Sequence, residues 1–518
     1  MKRLCQIILA VFLILVVVVT TVSCGEATKT QKGGTLRLAA YSMGSLDPHT
    51  SIGGFELNYH YQNFDNLVTM KPDMSIVSGL AESWEMVDSK AIIFHLKKGV
   101  KFHDGTDFNA AAVKWNVEHV KDPDVKSPFA GTLMCVDSVE VLDNLTVKFN
   151  LNKPDASLLA ALSDKAGMMV SPAAGQKYGR SAADLYDHPV GTGAWQTTEF
   201  IHDDHVTMER FTDYWDKGKP YIDKLEFKLI PDAAVALASI QAGTIDLIVP
   251  ETVPLEYMAK AKDIPGVEVP TGPGLGFSIV VFNKNFEPFS NVKVRYALAW
   301  AWDRDAEIAA YGAGTPELGL LPEISWAFNP KVKEPKYSKY PANLEKAKQL
   351  LAEAGYPDGF EVKLLTINTP EYIKRGEILK DHWGKVGVRV TLDVRDLNAA
   401  LTAMVGTGQF EVGMVNHSGR SDPGLHLALL NYSKSGYNKA GVFVTSQEYD
   451  DLLDKAGATL DLEARKQLYY QAQLVIMDLQ PMLMGINSPV FIPVRDYVKG
   501  AVIYPDRKLR LKEVWLSK

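Results

Sequence analysis

The feature that most limits how this chain can fold is its supply of cysteine. Three cysteines occur in 518 residues, at positions 5, 24 and 135. Positions 5 and 24 lie within and at the end of an N-terminal leader. Only Cys135 then remains for the folded body, and no internal disulfide can staple it. Stability must come from a large buried core, which a chain of this length builds as two to four domains.

The leader has three parts. Lys2 and Arg3 form a basic start, residues 7–19 are unbroken apolar sequence, and TTVS at 20–23 leads into Cys24. These are the parts of a secretory signal peptide. The apolar run falls short of the roughly 20 residues a membrane span needs. A cysteine after small residues resembles a bacterial lipobox, with Thr21 in place of the usual Leu. The expectation is a lipoprotein signal at 1–23, a lipidated Cys24 as the first mature residue, and a polar tether at 24–32. A plain secreted protein and an uncleaved anchor are the alternatives. The formal charge is −7, and −9 once Lys2 and Arg3 leave, so no basic footprint for nucleic acid exists. No second long apolar stretch follows.

Strand and helix periods alternate along the body, which indicates an α/β arrangement. Leu36 and Leu38 alternate with polar residues, as do Ile92, Phe94 and Leu96. Asn109 opens a helix whose inner face is Val113, Asn116, Val117 and Val120. Val139, Val141, Val147 and Phe149 outline a hairpin. A strand is expected to begin at 191–195 and to continue at 206–210 after the turn 202–205, with others at 225–229 and 246–249. Glycines and a proline at 272–276 read as a crossover before a strand at 277–283. Asn343 caps a helix closed by Gly355, and Asp461 starts a helix that runs to Leu479.

Several blocks, in this order, resemble the peptide/nickel class of solute-binding proteins of ABC importers (bacterial extracellular solute-binding protein family 5). The most specific is GLAESWE at 79–85, followed by IFHLKKGVKFHDG at 93–105 and AAAVKW at 110–115. Others are GTGAW at 191–195 with DYW at 213–215, VKVRYAL at 292–298 with Asp303-Arg304, and EKA at 345–347 with AGYPDGF at 354–360. The resemblance implies a two-lobed periplasmic-binding-protein type II fold (cluster C) with two hinge strands and a ligand enclosed between the lobes. Lobe one would span 33–279 with a subdomain inserted at about 66–186, lobe two 280–485, and 486–518 would return to lobe one.

Candidate ligand contacts follow from the same resemblance. Tyr41, Ser42 and Ser45 lie in the loop after the first strand, which reads otherwise as a plain turn into Asp47-Pro48. Asn416, His417, Ser418, Arg420 and Asp422 form a loop in lobe two. Peptide binders of this class place an ammonium-binding aspartate where this chain has Gly419. Arg420 beside it offers a planar fork for a carboxylate or phosphate, or else an ion pair to Asp422, which itself reads as a residue that holds the loop. The arginine with which some relatives hold a peptide carboxylate is missing from 365–370. Tyr437 and Asn438 offer an aromatic wall and an amide. Phe277 would sit at the cleft floor, while Trp302 and Trp326 read more readily as core.

His202-Asp203-Asp204-His205 reads as turn chemistry rather than a metal site. No His-Glu-x-x-His or Gly-x-Ser-x-Gly occurs, and 272–276 lacks the Lys-Ser/Thr of a phosphate loop. No cofactor or metal is expected, and no catalysis. The expected function is capture of a di- or oligopeptide-like solute by an extracytoplasmic, lipid-anchored monomer. It would deliver the solute to the transmembrane subunits of an ABC permease with cytoplasmic ATPases. Alternatives are another small polar solute (a nickel complex, oligosaccharide or anionic conjugate) or presentation of a ligand to a chemosensory receptor. A hydrolase is the weakest reading.

Overall fold

The computed structural model describes residues 32–51, 54–178, 188–417 and 419–518. Cys24 and Ser418 lie outside the described residues. Two large mixed sheets dominate. The first has seven strands in the order Val267–Glu268, Val494–Arg495, Leu247–Ile248, Thr35–Ala40, Lys224–Leu229, His205–Arg210 and Trp195–Ile201. The second has six: Thr315–Pro316, Met482–Asn487, Phe277–Phe282, Val412–His417, Glu361–Ile367 and Arg389–Arg395.

The central strand of each sheet packs on both faces, since alternate side chains of a strand point to opposite sides. In the strand Phe277–Phe282, Phe277, Ile279 and Val281 join one apolar cluster and Val280 and Phe282 another. The strand Thr35–Ala40 divides likewise, with Leu36, Leu38 and Ala40 on one side and Ala39 on the other. Two crossings join the sheets, between residues 268 and 277 and between 487 and 494. They pair with each other where Thr271–Gly272 lies antiparallel to Val490–Phe491.

A third, four-stranded antiparallel sheet is built from Ala81–Asp88, Ala91–Leu96, Thr146–Leu151 and Val136–Asp143. The helix Ala110–Lys121 packs on it through Val113, Val117 and Val120. Cys135 is buried in the same cluster, and burial pushes its thiol up to about 12. The expected hairpin forms, with Val139 opposite Phe149 and Val141 opposite Val147; Val141 itself is exposed on the edge strand.

The local signals are otherwise realised where periodicity and caps agree. The Asn109, Asn343 and Asp461 side chains accept from the amides of Ala112, Lys346 and Ala464, so each cap satisfies a donor that the first helical turn leaves open. Gly355 is left-handed at φ +93°. Residues 202–204 form the turn of a hairpin. The strand expected to begin at 191–195 starts only at Trp195, and the one expected at 246–249 is regular over Leu247–Ile248, with the Asp246 and Val249 amides still donating to the Arg37 and Ala39 carbonyls of the neighbouring strand.

Candidate functional site

The sheets are oriented so that the carboxyl ends of their parallel strands converge. Thr35–Ala40 is parallel to Lys224–Leu229 and Leu247–Ile248 in one sheet, and Glu361–Ile367 is parallel to Arg389–Arg395 and Val412–His417 in the other. Ligands of α/β sheets bind outside such ends. There a cavity of about 200 Å³ opens between the sheets. One wall is Glu251 with residues 505–507, the other Phe277, Asn416 and His417, and Gly276 and Ser488 belong to the crossings.

The wall beside the first sheet carries three charges in four side chains. Glu251 pairs with Lys508 (2.8 Å) and Asp506 grips Arg510 through both oxygens (2.8 and 2.7 Å). Arg510 in turn lies between the rings of Tyr61 and Tyr504, 4.1 Å from each. Those pairs cancel, and Arg507 is left: it forms no ion pair among the described residues. Its charge extends as far as Tyr372, outside the cavity lining, whose phenol burial pushes up to about 12 and on which Arg507 acts weakly in the opposite sense. Glu251 and Arg507 are both left-handed, at φ +76° and +64°. Such backbone costs a non-glycine residue about 1–3 kcal/mol and gathers at ligand sites.

The opposite wall is neutral. The His417 ring stacks on Phe277 (5.1 Å between centroids) and on His426 (4.1 Å). Burial holds the His417 ring well below its usual value and His426 at about 3, so neither is cationic at neutral pH. The Gly419 amide donates to His417 Nδ1 (3.2 Å), which places the ring proton on Nε2. Asn416 is oriented from behind. Buried Arg375 donates to its Oδ1 (3.0 Å) and cannot accept, so the Asn416 NH2 group is left for the cavity. Arg375 is held by Glu307 (3.4 Å), and Glu307 accepts from the Trp302 indole (2.7 Å). With Arg507 and Asn416 the cavity offers donors.

Of the residues expected at the site, Phe277, Asn416 and His417 come together on this cavity. Tyr41, Ser42, Ser45, Arg420, Asp422, Tyr437 and Asn438 are not part of its lining. The loop at 41–45 is tied down instead: the Gly44 amide donates to the Tyr59 hydroxyl (3.0 Å) and the Ser45 carbonyl meets His60 Nε2 (3.0 Å). Tyr41 is exposed against the edge of Phe55. Arg420 is exposed, and its guanidinium donates to the Gly419 carbonyl (3.0 Å). The carboxylate of Asp422 is buried, caps the helix Pro423–Asn431 and pairs with Arg465 (2.7 Å). Asn438 is also turned inward, where its Oδ1 accepts from the Phe443 amide (3.2 Å). Trp302 is core.

Gly419 has a structural reason to be glycine. Its φ is +74°, and a Cβ there would lie 2.4 Å from the Leu275 Cβ of the crossing. No aspartate fits at that position without displacing the crossing.

Contacts also bridge the two sides away from the cavity. The Ala156 amide donates to the Gly457 carbonyl (2.9 Å) and its carbonyl accepts from Arg465 (3.2 Å). Met70, Met74, Leu275 and Ile324 form a small apolar cluster. Sequence reading missed Glu251, Arg375 and Arg507. Nothing in the local pattern marks them, since each matters through partners remote in sequence. Among the described residues no cluster of three or more His, Cys, Asp or Glu is placed to hold a metal, and no helix is long and apolar enough to cross a membrane.

The family model "Bacterial extracellular solute-binding proteins, family 5 Middle" matches residues 75–439. The chain is 34% identical over 498 residues to heme-binding protein A of Haemophilus influenzae, covering 89% of this chain and 88% of that one. It is 32% identical over 480 residues to the dipeptide-binding protein of Escherichia coli, covering 85% and 86%. The solved structure of HbpA2 from Haemophilus parasuis superposes with a TM-score of 0.82 at 26% identity, over 94% of this chain and 100% of that one. The two-lobed type II fold expected from the sequence is the fold of such neighbours.

Proposed function

The chain belongs to family 5 of the bacterial extracellular solute-binding proteins, and from that premise we propose that it captures a small, carboxylate-bearing, peptide-like solute between its lobes and delivers it to an ABC import permease. The observation that carries this reading is the cavity between the two sheets, with Arg507 as its uncompensated charge and the Asn416 amide as a second donor. Charge-assisted hydrogen bonds to a carboxylate suit that pair. Dipeptides and heme, named for two relatives, both carry carboxylates. The steric closure of Gly419 argues against a free amine anchored there by an aspartate.

Capture works by closure. A solute that touches Arg507 on one side and Asn416 on the other favours the form in which both are near, in proportion to its differential affinity for that form. No bond in the solute need break. The domain boundaries belong to the same reading, with lobe one at 33–279, an insert at about 66–186, lobe two at 280–485 and a return at 486–518. Pairing of Met482–Asn487 in the second sheet and Val494–Arg495 in the first supports it. Anchoring through a diacylated Cys24 completes the proposal, since two acyl chains suffice for stable attachment.

Mass spectrometry of small molecules retained by the purified protein tests the solute class. An acidic, peptide-like compound that raises the melting temperature with concentration supports the reading. A retained compound lacking any anionic group, or turnover of the compound, rejects it. Cys24→Ser should abolish lipid labelling and membrane attachment.

A further inference from the structure

Successive residues of the second crossing face different spaces. Ser488 lines the cavity described above, while Asn487 and Pro489 line another, of about 860 Å³. That volume is within the range of small-molecule sites. Its walls come from both crossings, through Gly272 and Pro489, from Met258, and from the segment 313–324. Much of the lining is apolar, with Met258, Leu318, Ile324 and Phe328 contributing. Lys333 and Glu323 also lie there and pair with each other, so their charges cancel.

Glu317 remains. It is almost wholly buried, and its Oε2 accepts from Asn487 Nδ2 (3.1 Å). Among the described residues it forms no ion pair. Arg304, close by, spends its Nη donors on the backbone carbonyls of Glu317, Ser338, Lys339 and Met484. Glu317 thus has hydrogen bonds from Asn487, Leu318 and Gly319 and the Arg304 charge nearby, but no direct ion-pair partner among the described residues, and a buried carboxyl of that kind at an apolar cavity is suited to a molecule that brings a cation into contact with it.

We propose that this cavity is a second ligand site, for a small primary amine with an apolar or aromatic body whose ammonium pairs with Glu317. The apolar walls take the body, and the carboxyl end takes the charge. Burial pushes the Glu317 carboxyl up to about 8, so it holds its proton at neutral pH. An ammonium beside it favours the ionised form, and the proton leaves to solvent. This site is separate from the solute cavity and does not depend on what that cavity binds.

Phenethylamine and phenethyl alcohol share one body and differ in charge. Calorimetry of the purified protein at pH 7.5 should show the amine binding at least ~10-fold more tightly, the size expected of one charge-assisted contact. Glu317→Gln keeps the shape and the Asn487 contact, and should erase the difference. Thr315→Trp, at an exposed position bordering the cavity, should weaken both molecules. Equal affinity for the two molecules in the unaltered protein overturns the proposal, and so does a preference for the amine that survives Glu317→Gln or an amine affinity unchanged by Thr315→Trp. Should Glu317→Gln fail to fold, the unaltered protein and Thr315→Trp still decide.

Discussion

Two cavities share the second crossing, and they differ in size and in charge. The smaller, about 200 Å³, keeps one uncompensated cation, Arg507, after Glu251–Lys508 and Asp506–Arg510 cancel. The larger, about 860 Å³, keeps one carboxyl, Glu317, after Glu323–Lys333 cancels. In both, most charged side chains are spent on each other, and the remaining one sets the polarity. Counting charged residues on a cavity wall therefore misleads: the useful quantity is what remains after pairing. The smaller cavity is also flanked by left-handed backbone at Glu251 and Arg507 and by the neutral histidine stack.

The comparison can be broken hardest at Arg465, which ties the helix behind the binding loop to Ala156 across the molecule. Arg465→Met strands a buried Asp422 and should cost about 3–5 kcal/mol of stability, read from urea denaturation. It should loosen solute retention and leave amine binding at Glu317 untouched. Equal losses at both cavities would mean the two sides are not independent.

Next in size is Arg507→Ala. Loss of one charge-assisted contact predicts about 1.5–3 kcal/mol, or roughly 10-fold to 150-fold weaker binding of the retained solute, with the ligand-free melting curve nearly unchanged. Arg420→Ala should do less, because Arg420 is exposed and outside the lining. A larger effect at Arg420 would move the anion contact to the lobe-two loop.

Gly419→Asp asks whether the smaller cavity can be converted to take an ammonium. The side chain would meet Leu275 from a left-handed position, so a destabilisation of about 1–3 kcal/mol is expected and no gain in affinity for free amines. Tight binding of an amine by this variant, seen by calorimetry, would falsify the steric account.

A further test concerns pH. The Glu317 carboxyl sits at about 8 in the fold because burial disfavours its charge, against an unfolded value of about 4.3. Between those values the folded form holds the proton and the unfolded form does not, so this group's contribution to stability falls as pH rises, by about 1.4 kcal/mol per unit. Glu317→Gln removes that slope. Its stability relative to the parent should therefore increase from pH 5 to pH 8, which melting curves across that range can measure.

Much of the fold was legible in residue order. The caps at Asn109, Asn343 and Asp461, the alternation at Leu36, Leu38, Ile92 and Phe94, and the glycine-rich crossover all read correctly, because helix starts, strand faces and turns depend on neighbours a few residues apart. Val141 shows the limit of that logic: it pairs in the hairpin as expected yet lies exposed, because which face of a strand is covered depends on what packs there. For the candidate site, Phe277, Asn416 and His417 were legible through the family pattern. Arg420 was given weight because a cation beside the binding loop looks like a ligand for anions.

What the sequence determined by itself was therefore the class of fold and the order of its elements, carried by local periodicity and by blocks of family resemblance. Which charges stay unpaired was decided only by the tertiary structure. Glu251 meets Lys508 across 257 positions of sequence, and Asp422 meets Arg465 across 43. Electrostatic compensation depends on distance in space and on burial, and neither is set by separation along the chain.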